Sequence, residues 1–228
     1  YESGLPGFFG GPALSVGFVA YVFAMYTTTV ANTNFIITLE TIFLALFGYF
    51  FLKEKINLIT LISIILGISG VLIILGNSLT IQTSEQFLGN IVALIMPISF
   101  AVLIIIVRKY PNVDMVPLQL IAGIIAMVIG YIISVKINIS IYDLFLAFLA
   151  GFFQIGFGFI LITIGARKTL SAMVGIIMLT EAVLGPFWAW LFINENITFP
   201  VLLGGSIIIF AVFLQFYNSF KKEKTYTT

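Results

Sequence analysis

The 228-residue sequence contains no histidine and no cysteine, and only 8% of its residues are charged. Without these side chains there is no imidazole for a Ser-His or Cys-His pair, no thiolate for a metal and no disulfide. The only aspartates are Asp114 and Asp143, and both fall in connections between apolar runs. An aspartyl protease working inside a membrane therefore has no pair of carboxylates to use. No G-x-x-x-x-G-K-[ST] stretch occurs, so there is no phosphate-cradling loop either. The expectation is a protein that is not an enzyme, with no cofactor, no metal site and no nucleic-acid partner.

Apolar side chains are abundant: 61% of the residues are hydrophobic, including 24 phenylalanines, and the mean hydropathy is +1.20. A water-soluble domain has too little polar surface to cover such a chain. The apolar runs come in blocks near the ~20 residues that a helix needs to cross ~30 Å of hydrocarbon. A membrane β-barrel would show segments of ~10 residues with alternating polarity, whereas 61–75 (LISIILGISGVLIIL) is apolar on every side. The fold class expected is an all-α, polytopic bundle of about eight transmembrane helices in a lipid bilayer. The spans lie near 8–25, 34–52, 58–75, 88–107, 117–135, 142–164, 172–193 and 199–217. Pro97, in the middle of the fourth, predicts a kink.

The ten Lys and Arg residues fall unevenly. Lys53, Lys55, Arg108, Lys109, Arg167, Lys168, Lys221, Lys222 and Lys224 lie on the side reached after even-numbered spans, and Lys136 alone lies on the other. Basic residues in short loops stay on the cytoplasmic side. This places both termini of the segment in the cytoplasm and the protein in the cell membrane as a multi-pass protein.

Displacing the sequence by 141 positions lays the first three spans on the last three. Glu40 falls on Glu181, Glu54 on Glu195, Gly10 on Gly151, Gly17 on Gly158, Phe18 on Phe159 and Thr28 on Thr169. The first span and its match are five spans apart, so they cross in opposite directions and the repeat is inverted. The loops agree: Lys53-Glu54-Lys55 becomes Asn194-Glu195-Asn196, keeping the acid and losing both bases. Inverted repeats recur in transporters, where exchanging the conformations of two similar halves moves the opening from one side to the other. A carrier of small molecules is the first expectation, and a passive channel or facilitator the alternative.

Residues 24–75 (AMYTTTVANTNFIITLETIFLALFGYFFLKEKINLITLISIILGISGVLIIL) resemble the repeat unit of EamA-type proteins in the drug/metabolite transporter superfamily. Residues 165–213 resemble a second copy, most visibly at LTEAVLGPFWAWLFINE, 179–195. The resemblance implies ten spans in two five-span halves, a central cavity and export of amino acids or other small metabolites. Three spans in the first half (1–76) and five in the second (77–228) leave two helices unaccounted for ahead of Tyr1. The expectation is that this is the interior of a longer protein, the alternative being a chain that has lost two cavity-lining helices. The proline that often follows the in-membrane glutamate in such proteins is replaced by Thr41 and Ala182.

Four residues are the candidates for substrate contact or coupling. Glu40 and Glu181 lie inside spans, where a carboxyl group is costly and tends to face a bundle interior, a partner or a water-filled cavity. Glu40 falls roughly 9 Å inside the boundary of the ~30 Å core, where it contacts substrate, exchanges a proton, or serves as a structural hydrogen-bond donor. Glu54 and Glu195 sit at span ends, where interfacial or helix-terminal roles are expected. Gln154 shares a predicted helical face with Gly151, Gly158 and Gly165, a stripe that suggests close helix packing, a cavity wall, or both. Trp188 is placed to stack on a substrate or to anchor an interface. No span carries an internal Lys or Arg to balance a phosphate. That favours neutral, zwitterionic or cationic substrates over the nucleotide sugars or sugar phosphates of an exchanger with the same architecture.

Overall fold

A computed structural model describes residues 4–76, 79, 83–134, 139–194 and 198–226. Among them there is no strand, as hydrocarbon demands: a backbone without water must satisfy its own N–H and C=O groups, and an α-helix does so within one segment. Eight stretches are long and apolar enough to cross a membrane: Pro6–Thr27, Val30–Leu52, Leu58–Leu75, Ser84–Lys109, Val116–Ile133, Ile141–Ala166, Ser171–Phe192 and Phe199–Asn218. These match the eight expected spans.

Four of the eight are interrupted. The helices are α1 (Gly4–Thr27), α2 (Val30–Thr38), α3 (Glu40–Leu52), α4 (Leu58–Leu75), α5 (Ser84–Ala93), α6 (Ile95–Lys109), α7 (Val116–Ile133), α8 (Ile141–Leu149), α9 (Gly158–Ala166), α10 (Ser171–Met178), α11 (Glu181–Ile193) and α12 (Phe199–Tyr226). The α5/α6 break at Leu94 is the kink expected from Pro97. Proline has no N–H for the carbonyl four residues back, and its ring crowds that carbonyl. In α2/α3 and α10/α11 the interruption has no proline. There Thr38 Oγ1 donates to Phe35 O at 2.6 Å and Thr180 Oγ1 to Ile177 O at 2.7 Å, local bonds that compete with the helical ladder.

The elements repeat at the same offset of 141 as the residues. Glu40–Leu52 corresponds to Glu181–Ile193, and the starts of α2 and α4 correspond to those of α10 and α12. The only non-glycine residues with positive φ among those described, Lys53 at 56° and Asn194 at 55°, are such a pair. Phe18 and Phe159, also paired by the offset, touch edge to face with centroids 5.3 Å apart.

Packing is tightest where side chains are smallest, because apolar side chains gain little by leaving lipid for one another and association rests on close contact. The most extensive interface is α4 against α12, where a Cβ on Gly70 would lie 2.7 Å from Gly204 O. α1 lies against α6 and α7. Its Gly11 would there meet Ile121, and its Gly17 would meet Ser99 Cβ, each at 2.7 Å. Leu14, Leu44, Phe100, Leu103, Ile104 and Leu118 fill the space between these helices.

The expected stripe on the sixth span is corrected. Residues Ala150–Phe157 form a π-helical segment between α8 and α9. Its wider turn breaks the phase that would align Gly151, Gln154, Gly158 and Gly165. A Cβ at Gly151 or Gly165 would meet nothing within 4 Å, so neither glycine serves close packing here.

Gly70→Val should therefore destabilise the bundle by about 1–3 kcal/mol through overpacking against backbone. Gly165→Ala should stay within about 0.5 kcal/mol of wild type. Thermal unfolding midpoints in detergent, compared for both variants, check the contrast.

Candidate functional site

Two of the interrupted spans, α2/α3 and α10/α11, resume at a glutamate: Glu40 is the first residue of α3 and Glu181 the first of α11. A helix N-terminus carries partial positive charge, which favours an acid in its first turn. Glu40 is buried, at 4% exposure, while Glu181 is exposed. The two carboxyl groups lie within electrostatic reach of each other, and Glu181 is also within reach of the Tyr21 phenol on α1. Among the described residues neither carboxyl group has a hydrogen-bond or ion-pair partner. Beside Glu40, Thr41 Oγ1 donates to Gly175 O at 3.1 Å, and a Cβ on Gly175 would lie 2.7 Å from Thr41 Cα. This contact fastens the start of α3 to α10.

The other two candidates lie elsewhere. Gln154 is exposed and is not among the residues that line the groove beside it. Trp188 is 48% exposed and stacks on Phe192 with centroids 5.7 Å apart.

The groove, of about 360 Å³, runs between α1, α7 and the π-helical segment, with Phe18, Phe159, Gly123, Gly151 and Gly156 in its walls. Its polar side chain is Gln119, whose Nε2 donates to Phe159 O at 2.8 Å and also to Thr163 Oγ1. Sequence reasoning missed Gln119. The signal available was an amide inside an otherwise apolar span.

At one end of the bundle Glu54 takes the helix-terminal role expected of it. The left-handed turn at Lys53 lets the Glu54 N–H donate back to Gly48 O at 3.0 Å and close the end of α3. Its carboxylate then accepts from Arg108 Nε at 2.9 Å and from the Ser171 N–H, at the start of α10, at 2.9 Å. The counterpart Glu195, and Lys136, lie outside the described residues. A second ion pair on the same side joins Arg167 to Asp114 at 2.7 Å.

A model of the EamA-like transporter family matches residues 4–76 and 84–217. Two curated relatives are each named "Uncharacterized transporter". The one from Methanothermobacter thermautotrophicus is 23% identical over 198 residues, which is 84% of this chain and 58% of that protein. The one from Clostridium kluyveri is 24% identical over 220 residues, 92% of this chain and 70% of that protein. The chain thus spans 58% of the first relative's length. One solved crystal structure, 14% identical, has a TM-score of 0.82 and covers 94% of this chain and 77% of that one.

Thr41→Val should cost about 1 kcal/mol, since an interhelical hydroxyl bond in a membrane is worth roughly 0.6–1.7 kcal/mol. Thr41→Ser should recover most of it. Midpoints of unfolding in mixed micelles separate the two variants.

Proposed function

The chain belongs to the EamA-like transporter family, and from that premise we propose that it carries small metabolites across a membrane by exposing one internal site to each side in turn. The reading rests chiefly on Glu40 and Glu181. They come from opposite ends of the chain, each begins a half-helix, they lie within electrostatic reach, and neither has a partner among the described residues. Interrupted helices whose ends face a shared site are a recurrent way to bind substrate and coupling ion near the middle of a bilayer.

In this proposal residues 1–76 and 77–228 belong to two halves related by an inverted repeat. The matched helix ends and the Phe18–Phe159 contact support that relation. Substrates are amino-acid-like and neutral, zwitterionic or cationic, and they leave the cell. Two acidic groups attract positive charge, and no Lys or Arg stands near the middle of a described span to receive a phosphate. One or both glutamates take up and release a proton during the cycle, because a carboxyl group's proton affinity changes with the water and charge around it. Glu181, exposed and within reach of Tyr21, is the better placed of the two. Trp188 and Gln154 remain secondary candidates for substrate contact. The lysine- and arginine-rich face is cytoplasmic, in the cell membrane.

The test is flux of the full-length protein in proteoliposomes under a pH gradient. Glu181→Gln and Glu40→Gln keep size and hydrogen bonding but cannot ionise. The expected result is that gradient-driven flux falls at least roughly tenfold in one of them, the scale of a lost acid-base group. Unchanged gradient-driven flux in both, at normal expression, would sink the coupling role.

Orientation has its own check, with single cysteines at Lys53, Arg108 and Arg167. They should resist an impermeant maleimide added to intact cells and react after permeabilisation. Labelling from outside at any of the three contradicts the orientation.

A further inference from the structure

Away from the Glu40–Glu181 pair, the densest set of charged contacts among the described residues is the junction around Glu54. One carboxylate gathers the ends of three spans: its own at the end of α3, Arg108 near the end of α6, and Ser171 at the start of α10. Arg108 approaches it to 2.6 Å, the Ser171 N–H donates at 2.9 Å and the Ser171 hydroxyl at 3.3 Å. The ion pair is largely screened from water, with side-chain exposures of 16% for Arg108 and 11% for Glu54. Gly48 makes the junction sterically accessible, since a Cβ there would lie 2.6 Å from Glu54 Oε2 and 3.1 Å from Ser171 Cβ.

The opposite face carries Glu85 and Asp143 at helix starts, but no ion pair is found there among the described residues. There the two halves meet through neutral groups: Thr28 Oγ1 donates to Asn90 Oδ1 at 2.6 Å, and Asn32 Nδ2 to Asn90 Oδ1 at 3.3 Å. The 141-residue offset pairs Ser171 with Val30, which has no hydroxyl. Hydrogen bonds between ionised groups are about twice as strong as neutral ones. The two faces of the bundle are therefore closed by contacts of unequal strength.

We propose that the Glu54–Arg108–Ser171 junction is the gate on the lysine- and arginine-rich face, and that its strength biases the resting protein toward the state closed on that side. The proposal rests on the transport reading above. Opening this face requires the ends of α3 and α6 and the start of α10 to part from one another, so the Arg108 and Ser171 contacts to one carboxylate break together. Polar groups that lose such partners recover water only on this face, which makes the transition two-state rather than gradual.

Residues 1–228 contain no cysteine, so a single reporter can be read cleanly once any cysteine elsewhere in the full-length protein is replaced. Ala172, 7% exposed, lines a small cleft behind the junction with Glu54, Thr60 and Gln215. In the Ala172→Cys protein, an impermeant methanethiosulfonate reagent applied to the lysine- and arginine-rich face should react slowly. Adding Glu54→Gln or Arg108→Gln should speed modification at least roughly tenfold, the population shift that a hydrogen bond to a charged group sustains. Unchanged rates in both would overturn the gate. If either variant misfolds, Ser171→Pro offers a second measurement: proline suits the first position of a helix, and it removes both the N–H and the hydroxyl that bond Glu54. It should likewise speed modification at least roughly tenfold, and an unchanged rate would also overturn the gate. The modification rate needs no substrate, so failure of the transport reading alone leaves that first result intact.

Discussion

Helices surrounded by lipid gain little by hiding apolar side chains from one another, so this bundle is held where its backbones touch. The crossing of α4 and α12 at Gly70 and Gly204 is the clearest case. Each glycine leaves room for the other helix's carbonyl oxygen. The same constraint governs α1, whose Gly11 and Gly17 admit Ile121 and Ser99, and the start of α3, where Thr41 lies against Gly175. Around these contacts the larger apolar side chains act as filling. The sixth span shows the converse, for its Gly151 and Gly165 meet nothing and its Phe145, Phe148, Phe152, Phe153 and Phe157 stay exposed.

A bundle held by close contact has few places to put charge, and the acids here occupy helix ends. Glu40 and Glu181 stand at ends that exist only because their spans are interrupted. Glu54 stands at a true span end, where its carboxylate joins three spans. The two kinds of position suit different roles. Among the described residues the first two carboxyl groups have no hydrogen-bond or ion-pair partner, whereas that of Glu54 is bonded to both Arg108 and Ser171.

Much of the fold was legible in the sequence, because the cost of hydrocarbon is written residue by residue. Eight apolar runs became eight spans, and Pro97 marked the interruption at Leu94. The interruptions beside Glu40 and Glu181 were not foreseen. They arise from threonine hydroxyls bonding back to their own helix, a choice that single-residue propensity does not register. The π-helical segment on the sixth span was missed for a similar reason. A stripe at spacings of three, four and seven assumes 3.6 residues per turn, and the π-helical turn is wider.

The sequence alone determined that the chain crosses a membrane, how often, and which residues are too polar to face lipid, since these depend on composition along single segments. Only the tertiary structure decided which of those residues meet. Glu54 finds Arg108 and Ser171, Glu40 comes within reach of Glu181, and Gln119 rather than Gln154 supplies the amide of the groove. Such meetings are set by where helices cross, and crossings depend on small residues on two segments at once.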